Sequence, residues 1–229
     1  MSILEAPPLP FTYWSDPLCI WAYVGQPKLD AVIEKHGQNI AVRHRIVPVF
    51  TSIPRRFSEG GTWAKAGPSG RRKTTADVAQ KFGFDNVTGA VWESDAPSSS
   101  VPAGAAFHAV ALLEEREEAS IGAAALYLEK LRERFFVDDK NIARRVEQCA
   151  LAEEMKTPMA AFEAALDDGS ALTRLLEDLE DKTSSFIRGS PTWVFDDGRT
   201  LLYGNVASSV VHGTIDELLR GHHTGCSWC

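Results

Sequence analysis

The spacing of apolar positions divides the chain into strand-bearing ends and a helical middle. Phe11, Thr12, Tyr13 and Trp14 form a short aromatic, β-prone run that stops at Ser15-Asp16-Pro17. After Cys19 a helical pattern extends to about Lys35, with Leu29, Val32 and Ile33 on one face and Gly37 as its C-cap. Pro27 lies inside that pattern, so the helix is expected to kink or to start late. Residues 40–47 alternate, with Ile40, Val42, His44 and Ile46 on one side, which predicts a strand. From Pro54 to Pro102 Gly, Pro, Ser and basic residues prevail, with a short helical piece near Thr75–Phe82. Five helices follow. Phe107, Val110, Ala111 and Leu113 mark the first, Leu128, Leu131 and Phe135 the second, and Ile142, Val146 and Cys149 the third. Thr157-Pro158 reads as an N-cap followed by a first-turn proline, opening a fourth around Phe162 and Leu166. Ser170 caps a fifth, with Leu172, Leu175, Leu176 and Leu179. Strand pattern then returns at Thr192–Phe195 and Thr200–Tyr203 across the turn Asp196-Asp197-Gly198. A last helix, Ser208–Arg220, turns Val211, Ile215, Leu218 and Leu219 inward.

The order β-α-β, helices, β-β-α is that of an α/β fold in which a thioredoxin-like domain is interrupted by an all-helical insertion. The expected division is 8–55 and 184–221 for the thioredoxin-like domain and 56–183 for the helical insertion. Residues 222–229 are left as a C-terminal tail. The chain has 229 residues, 44% of them hydrophobic and 24% charged, which suits a globular protein and excludes collagen-like and low-complexity classes. A formal net charge of −7 argues against a general nucleic-acid or anionic-membrane binder, whose footprint is basic. No apolar run approaches a membrane span and the N-terminus shows no secretory pattern, so a cytoplasmic location is expected.

Chemistry concentrates on cysteine. Of Cys19, Cys149, Cys226 and Cys229, Cys19 falls where the first strand gives way to a helix, in Ser15-Asp16-Pro17-Leu18-Cys19-Ile20-Trp21-Ala22. A thiol at a helix N-terminus meets unpaired amides that favour its anion, and the thiolate is the nucleophile of disulfide exchange. Cys19 is therefore expected to have a depressed pKa and to alkylate first. Cys149 is explained by packing against Ile142 and Val146. A second feature is Gly189-Ser190-Pro191-Thr192-Trp193-Val194-Phe195, a proline directly before a strand.

Together, Asp16-Pro17-Leu18-Cys19-Ile20-Trp21 and the segment from Gly189 to Phe195 resemble the DsbA-like family of thioredoxin-fold proteins. The resemblance covers nearly the whole chain, including the helical insertion and its opening at Val101-Pro102-Ala103. It implies that Cys19 is the attacking cysteine and Pro191 a cis-proline beside it. Ile20 and Trp21 would form an apolar lip, with Ser190 and Pro191 orienting a substrate. The family pattern Cys-Pro-Trp-Cys is broken here, because the resolving position is Ala22. A dithiol cycle cannot close within that motif. What remains is a monothiol cycle with a small thiol, another cysteine as partner, chemistry that is not redox, or a binding module without turnover.

The related kappa-class glutathione transferases and 2-hydroxychromene-2-carboxylate isomerases carry a serine at the position of Cys19. Their resemblance implies glutathione held by an acidic-basic pair after the returning strand. The corresponding segment here, Tyr203-Gly204-Asn205-Val206-Ala207, has no charge. The expected function is thiol–disulfide oxidoreductase or isomerase chemistry through Cys19, with glutathione-dependent isomerase or transferase chemistry as the alternative. No tightly bound cofactor is expected; glutathione or another low-molecular-weight thiol would serve as co-substrate. The partner would be a small or protein thiol/disulfide, with homodimer formation left open. In the tail, His222-His223-Thr224-Gly225-Cys226-Ser227-Trp228-Cys229, the pair Cys226 and Cys229 reads as a redox partner for Cys19 ahead of a zinc site. Arg71-Arg72-Lys73-Thr74 reads as a solvated basic loop, with an acidic substrate as its other use.

Overall fold

A computed structural model of the chain describes residues 7–195 and 198–224. Strand β1 (Leu9–Ser15) turns into α1 (Ile20–Tyr23) and α2 (Gln26–His36), and a 3-10 turn at 37–39 leads to β2 (Ile40–Ile46). Pro27 stands in the first turn of α2, where the missing N–H would have had no partner anyway. The expected late start is thus the break between α1 and α2. Eight helices follow: α3 (Ile53–Phe57), α4 (Gly67–Lys81), α5 (Val91–Ser94), α6 (Val101–Glu115), α7 (Ala123–Phe136), α8 (Arg145–Glu154), α9 (Met159–Asp167) and α10 (Ser170–Ser184). The chain then forms β3 (Thr192–Phe195), β4 (Thr200–Tyr203) and α11 (Ser208–Thr224).

The strands form one sheet in the order β2-β1-β3-β4. β1 and β2 are parallel, from Leu9 opposite Ile40 to Ser15 opposite Ile46, while β3 pairs antiparallel with both β1 and β4. One sheet face turns Phe11, Tyr13, Trp193 and Phe195 against Leu29 and Val32 of α2 and Val211 and Ile215 of α11. A second, larger core fills the helical half, and it includes Leu18, Cys19, Ile20 and Ala22 together with Phe107, Leu131, Phe135 and Leu175. The segment around Cys19 therefore packs with the helices of the insertion, although it follows directly on β1.

Several elements depart from the sequence expectation. α4 begins at Gly67 rather than near Thr75; Gly67-Pro68-Ser69-Gly70 looks like a loop, but Pro68 fits a first helical turn. In α8 the buried face carries Gln148, Leu151 and Ala152, while Val146 is 67% exposed and Ile142 lies before the helix. The period misleads because the inward position is a glutamine, whose Nε2 donates to the Ile142 carbonyl at 2.9 Å. On α10, Leu175 is buried but Leu172 and Leu176 are exposed. α9 opens at Met159 with Pro158 in the cap position. Residues 222–224, assigned above to the tail, continue α11.

Two buried carboxylates pin the ends of the parallel pair. Asp178 of α10 accepts the Ile46 N–H at 2.7 Å and meets His108 Nε2 at 2.9 Å and Arg45 Nη1 at 3.5 Å. Asp16 does the corresponding work after β1, and it does so beside Cys19.

Candidate active site

Asp16 is fully buried, and each of its oxygens is occupied by donors. Oδ1 accepts the Leu18 N–H at 2.7 Å. Oδ2 accepts the N–H groups of Val49 at 2.7 Å and Phe50 at 3.2 Å and the Ser100 hydroxyl at 2.7 Å. One side chain thus joins the loop after β1, the loop after β2 and the start of α6. Burial pushes the Asp16 carboxyl pKa up, and these donors act against that shift.

That scaffold sets the position of Cys19. Its N–H donates to the Asp16 carbonyl at 3.1 Å, and its own carbonyl accepts from Ala22 and Tyr23. Cys19 is the N-cap of α1 in extended backbone, 4% exposed. Its Sγ donates to the Ser190 carbonyl at 3.3 Å, and the Ser190 hydroxyl accepts the Asp16 N–H at 2.8 Å. The Ser190–Pro191 peptide bond is cis. Ahead of it, Gly189 lies close against Tyr203; a Cβ there would come to 3.0 Å from the phenol oxygen. Behind it, the Pro191 carbonyl accepts from Gly204, whose φ of +87° suits glycine. Cys19, Ser190 and Pro191 are therefore brought together, from positions 171 residues apart at the Cys19–Ser190 contact.

Other expected site residues divide. Trp21 is 42% exposed and meets Phe82, at the end of α4, edge-on at 6.0 Å, so these two rings present an exposed apolar surface. Ile20 is not part of it; it is 2% exposed and belongs to the helical core. Ala22, at the resolving position, is fully buried one turn from Cys19. Cys149 is half-buried on α8 with its Sγ 3.8 Å from Glu163 Oε1. Cys226 and Cys229 lie outside the described residues. Among the described residues no group of three or more His, Cys, Asp or Glu could hold a metal ion. A cavity of about 610 Å³ opens beside β2, lined by His44, His108, Arg174 and Asp178 among others, and Cys19 does not line it.

The expected low thiol pKa is corrected. Burial pushes the Cys19 thiol up, and the Asp16 carboxylate adds to the rise. Ser190 and the N–H groups of Ala22 and Trp21 act in the opposite sense but do not prevail. A four-residue helix has too few aligned peptides to overcome desolvation.

A family model described as thioredoxin matches residues 12–205, a span that contains Cys19, the helical insertion and the Ser190–Pro191 loop. The chain belongs to the thioredoxin family. Among curated proteins none matches it. Among solved structures it is similar to the cytosolic disulfide reductase DsbM from Pseudomonas aeruginosa. That likeness has 22% identity and a TM-score of 0.63, over 95% of this chain and 98% of that one. The same reductase with GSH superposes at a TM-score of 0.61 with 21% identity, over 95% and 98% of the two chains. A 2-hydroxychromene-2-carboxylate isomerase matches at 15% identity and a TM-score of 0.65, over 95% of this chain and 100% of that chain. At these identities the likeness is one of fold, and it agrees with the DsbA-like resemblance read from the residues around Cys19 and Pro191. No helix among the described residues is long and apolar enough to cross a membrane.

Around this thioredoxin-family site, Arg132 and Lys28 were not legible in the sequence, whereas Arg71 reads there first as part of a solvated loop, with contact to an acidic substrate as its other use. Arg132 of α7 is fully buried and donates to Ser15 Oγ at 2.6 Å and Gln26 Oε1 at 3.3 Å, leaving Nε without a partner. Burial works against its charge, while Tyr13, Cys19 and Asp16 favour it. Lys28 of α2 reaches the Asn205 side chain and the Val206 carbonyl, placing an ammonium at the segment that looked uncharged. Arg71 is not in a solvated loop. It sits on α4 with its guanidinium 4.8 Å from the Trp63 ring centre, 5.0 Å from Trp92 and 5.6 Å from Phe50. Only Phe50-to-Trp92 aromatic spacing could have hinted at this, and it carries no helical or strand period.

Proposed function

We propose that the protein is a thiol–disulfide oxidoreductase that works through Cys19 alone, with a small thiol closing the cycle. The observation that carries this reading is the placement of Cys19 Sγ on the Ser190 carbonyl with a buried alanine at the resolving position. In the first step the Cys19 thiolate attacks a disulfide RS–SR′, forming Cys19–S–S–R and releasing R′S⁻, which takes a proton from solvent. In the second, the thiolate of a small thiol such as glutathione attacks the same mixed disulfide. Cys19 leaves as thiolate, and the mixed disulfide of R with the small thiol departs. Each such cycle consumes one small thiol and releases one R′SH, so it is a disulfide exchange. A second small thiol that attacks the departed mixed disulfide releases RSH and the small thiol's own disulfide, which completes a two-electron reduction with no second protein sulfur.

Ser190 has two parts to play. Its carbonyl holds the resting thiol proton, and its hydroxyl fixes the Asp16 backbone, so the sulfur and the loop keep one geometry. Trp21 and Phe82 offer an apolar surface for the substrate beside the sulfur. The test is mass spectrometry of the full chain after exposure to glutathione disulfide, followed by turnover with glutathione and 2-hydroxyethyl disulfide. The expected result is a glutathione adduct on Cys19, lost in Cys19→Ser together with turnover. Turnover that survives Cys19→Ser, or an adduct only on Cys149, overturns the reading.

A further inference from the structure

Arg56 and Arg71 share one aromatic cluster beside the active-site segment. The Arg56 guanidinium lies 4.9 Å from the Trp63 ring centre and 5.2 Å from that of Phe50; Arg71 lies over the same two rings and over Trp92. Their charges repel, and each guanidinium loses hydration against the rings; burial lowers the Arg71 pKa to about 10. Arginines in such places are usually paired with a carboxylate. Among the described residues neither has one. Arg56 donates to the Val49 carbonyl, while among the described residues the Arg71 guanidinium makes no hydrogen bond or ion pair, and its Nε is buried without a partner. The next residue shows the ordinary arrangement, because Arg72 meets Glu93 Oε2 at 2.6 Å.

The acid nearest to hand cannot serve. Asp16 has its oxygens filled by Leu18, Val49, Phe50 and Ser100. The cluster is nevertheless tied to the reacting centre, since Phe50 donates to Asp16, and Arg71 lies within the electrostatic reach of both Cys19 and Asp16. In a protein of net charge −7, the general field does not draw anions in, so two guanidiniums with no carboxylate partner among the described residues form a local exception.

We infer that Arg56 and Arg71 form an anion subsite that receives a carboxylate of the thiol or disulfide reacting at Cys19, giving the site a preference for acidic substrates. This rests on the reading of Cys19 as the nucleophile. The planar forks of two arginines suit a carboxylate held by parallel N–H donors, and the rings beneath keep both forks in place.

The test uses the full chain with Cys149, Cys226 and Cys229 replaced by serine, so that only Cys19 reacts. Its rate with the dianionic 5,5′-dithiobis(2-nitrobenzoate) is divided by its rate with neutral 2,2′-dithiodipyridine. Division removes any change in thiol pKa common to both reagents. Arg71→Gln and Arg56→Gln are each expected to lower that ratio about tenfold, and Arg72→Gln to leave it within about twofold. Should Arg71→Gln fail to fold, Arg56→Gln and the parent's salt dependence decide. The parent ratio should fall between about 0.02 M and 0.5 M salt, where the Debye length shrinks severalfold. An unchanged ratio in folded Arg56→Gln, together with a ratio insensitive to salt, overturns the subsite. Failure of Cys19 to react with the neutral reagent overturns the nucleophile assignment instead.

Discussion

Asp16 and Asp178 are both buried acids that tie down the ends of β1 and β2, yet they differ in what holds them. Asp178 faces a histidine and an arginine, so opposite charge can answer its own within the same cluster. Asp16 is held by three backbone N–H groups and one hydroxyl, all neutral. Neutral donors satisfy the oxygens without cancelling the charge, and the remaining field falls on the neighbouring sulfur. A buried carboxylate is therefore structural or functional according to the charge of its donors, even when the donor count is similar.

The strongest way to test that contrast is to remove Asp178. Asp178→Ala is expected to cost about 3–5 kcal/mol in denaturant unfolding, because Arg45 and His108 lose their shared partner. Cys19 alkylation should stay within about twofold of the parent. A large change in alkylation would mean that Asp178 also acts on the sulfur.

Next in size is the pH profile of Cys19. The thiol pKa is raised by burial and Asp16, so the neutral thiol prevails near pH 7 and the reactive thiolate grows as pH rises. Iodoacetamide labelling of Cys19 should climb about tenfold per unit from pH 7 and still be rising at about pH 9. A plateau below about pH 8 would show that the helix N-terminus outweighs desolvation.

A smaller effect comes from Asp16→Asn. Losing the negative charge removes one cause of the raised thiol pKa, so labelling at pH 7 should accelerate about threefold to tenfold. The same change places an amide group among donors and should cost about 1–3 kcal/mol of stability. Stability loss without faster labelling would make Asp16 purely structural. The smallest effect is expected for Ala22→Cys. A second sulfur one turn from Cys19 should raise insulin reduction a few-fold over the parent, set against about 1–3 kcal/mol for enlarging a fully buried side chain. No gain in a folded variant would mean that the surroundings of Cys19 do not accommodate a dithiol cycle.

Legibility in the sequence followed the range of the interactions. The strands, the break before Pro27 and the helices marked by Phe107, Leu128 and Leu175 are written in local apolar spacing. Cys19 and the Ser190–Pro191 loop were found through a two-part resemblance, since neither segment alone carries the geometry. Arg132 and Ser100 were not found, because they reach Ser15 and Asp16 across 117 and 84 residues and leave no local period. Helix α8 misled for a different reason. A glutamine with both a donor and a carbonyl in use occupies its inward face, so apolar spacing pointed to the exposed side. The direction of the Cys19 pKa is not legible in the sequence, because burial, its largest cause, belongs to the tertiary structure alone.

The hydrogen bond from Cys19 to Ser190 also has a consequence during synthesis. Its two ends are 171 residues apart in the chain. At about 5–20 residues per second, the ribosome needs roughly 10–30 s to make the acceptor after the thiol has been made. Over that interval the sulfur lacks the loop that later covers it, along with the α6 and α7 partners for part of the time. Oxidative capture of the nascent chain at this one thiol is thus a hazard of the fold's topology, and it ends only when the last strands dock.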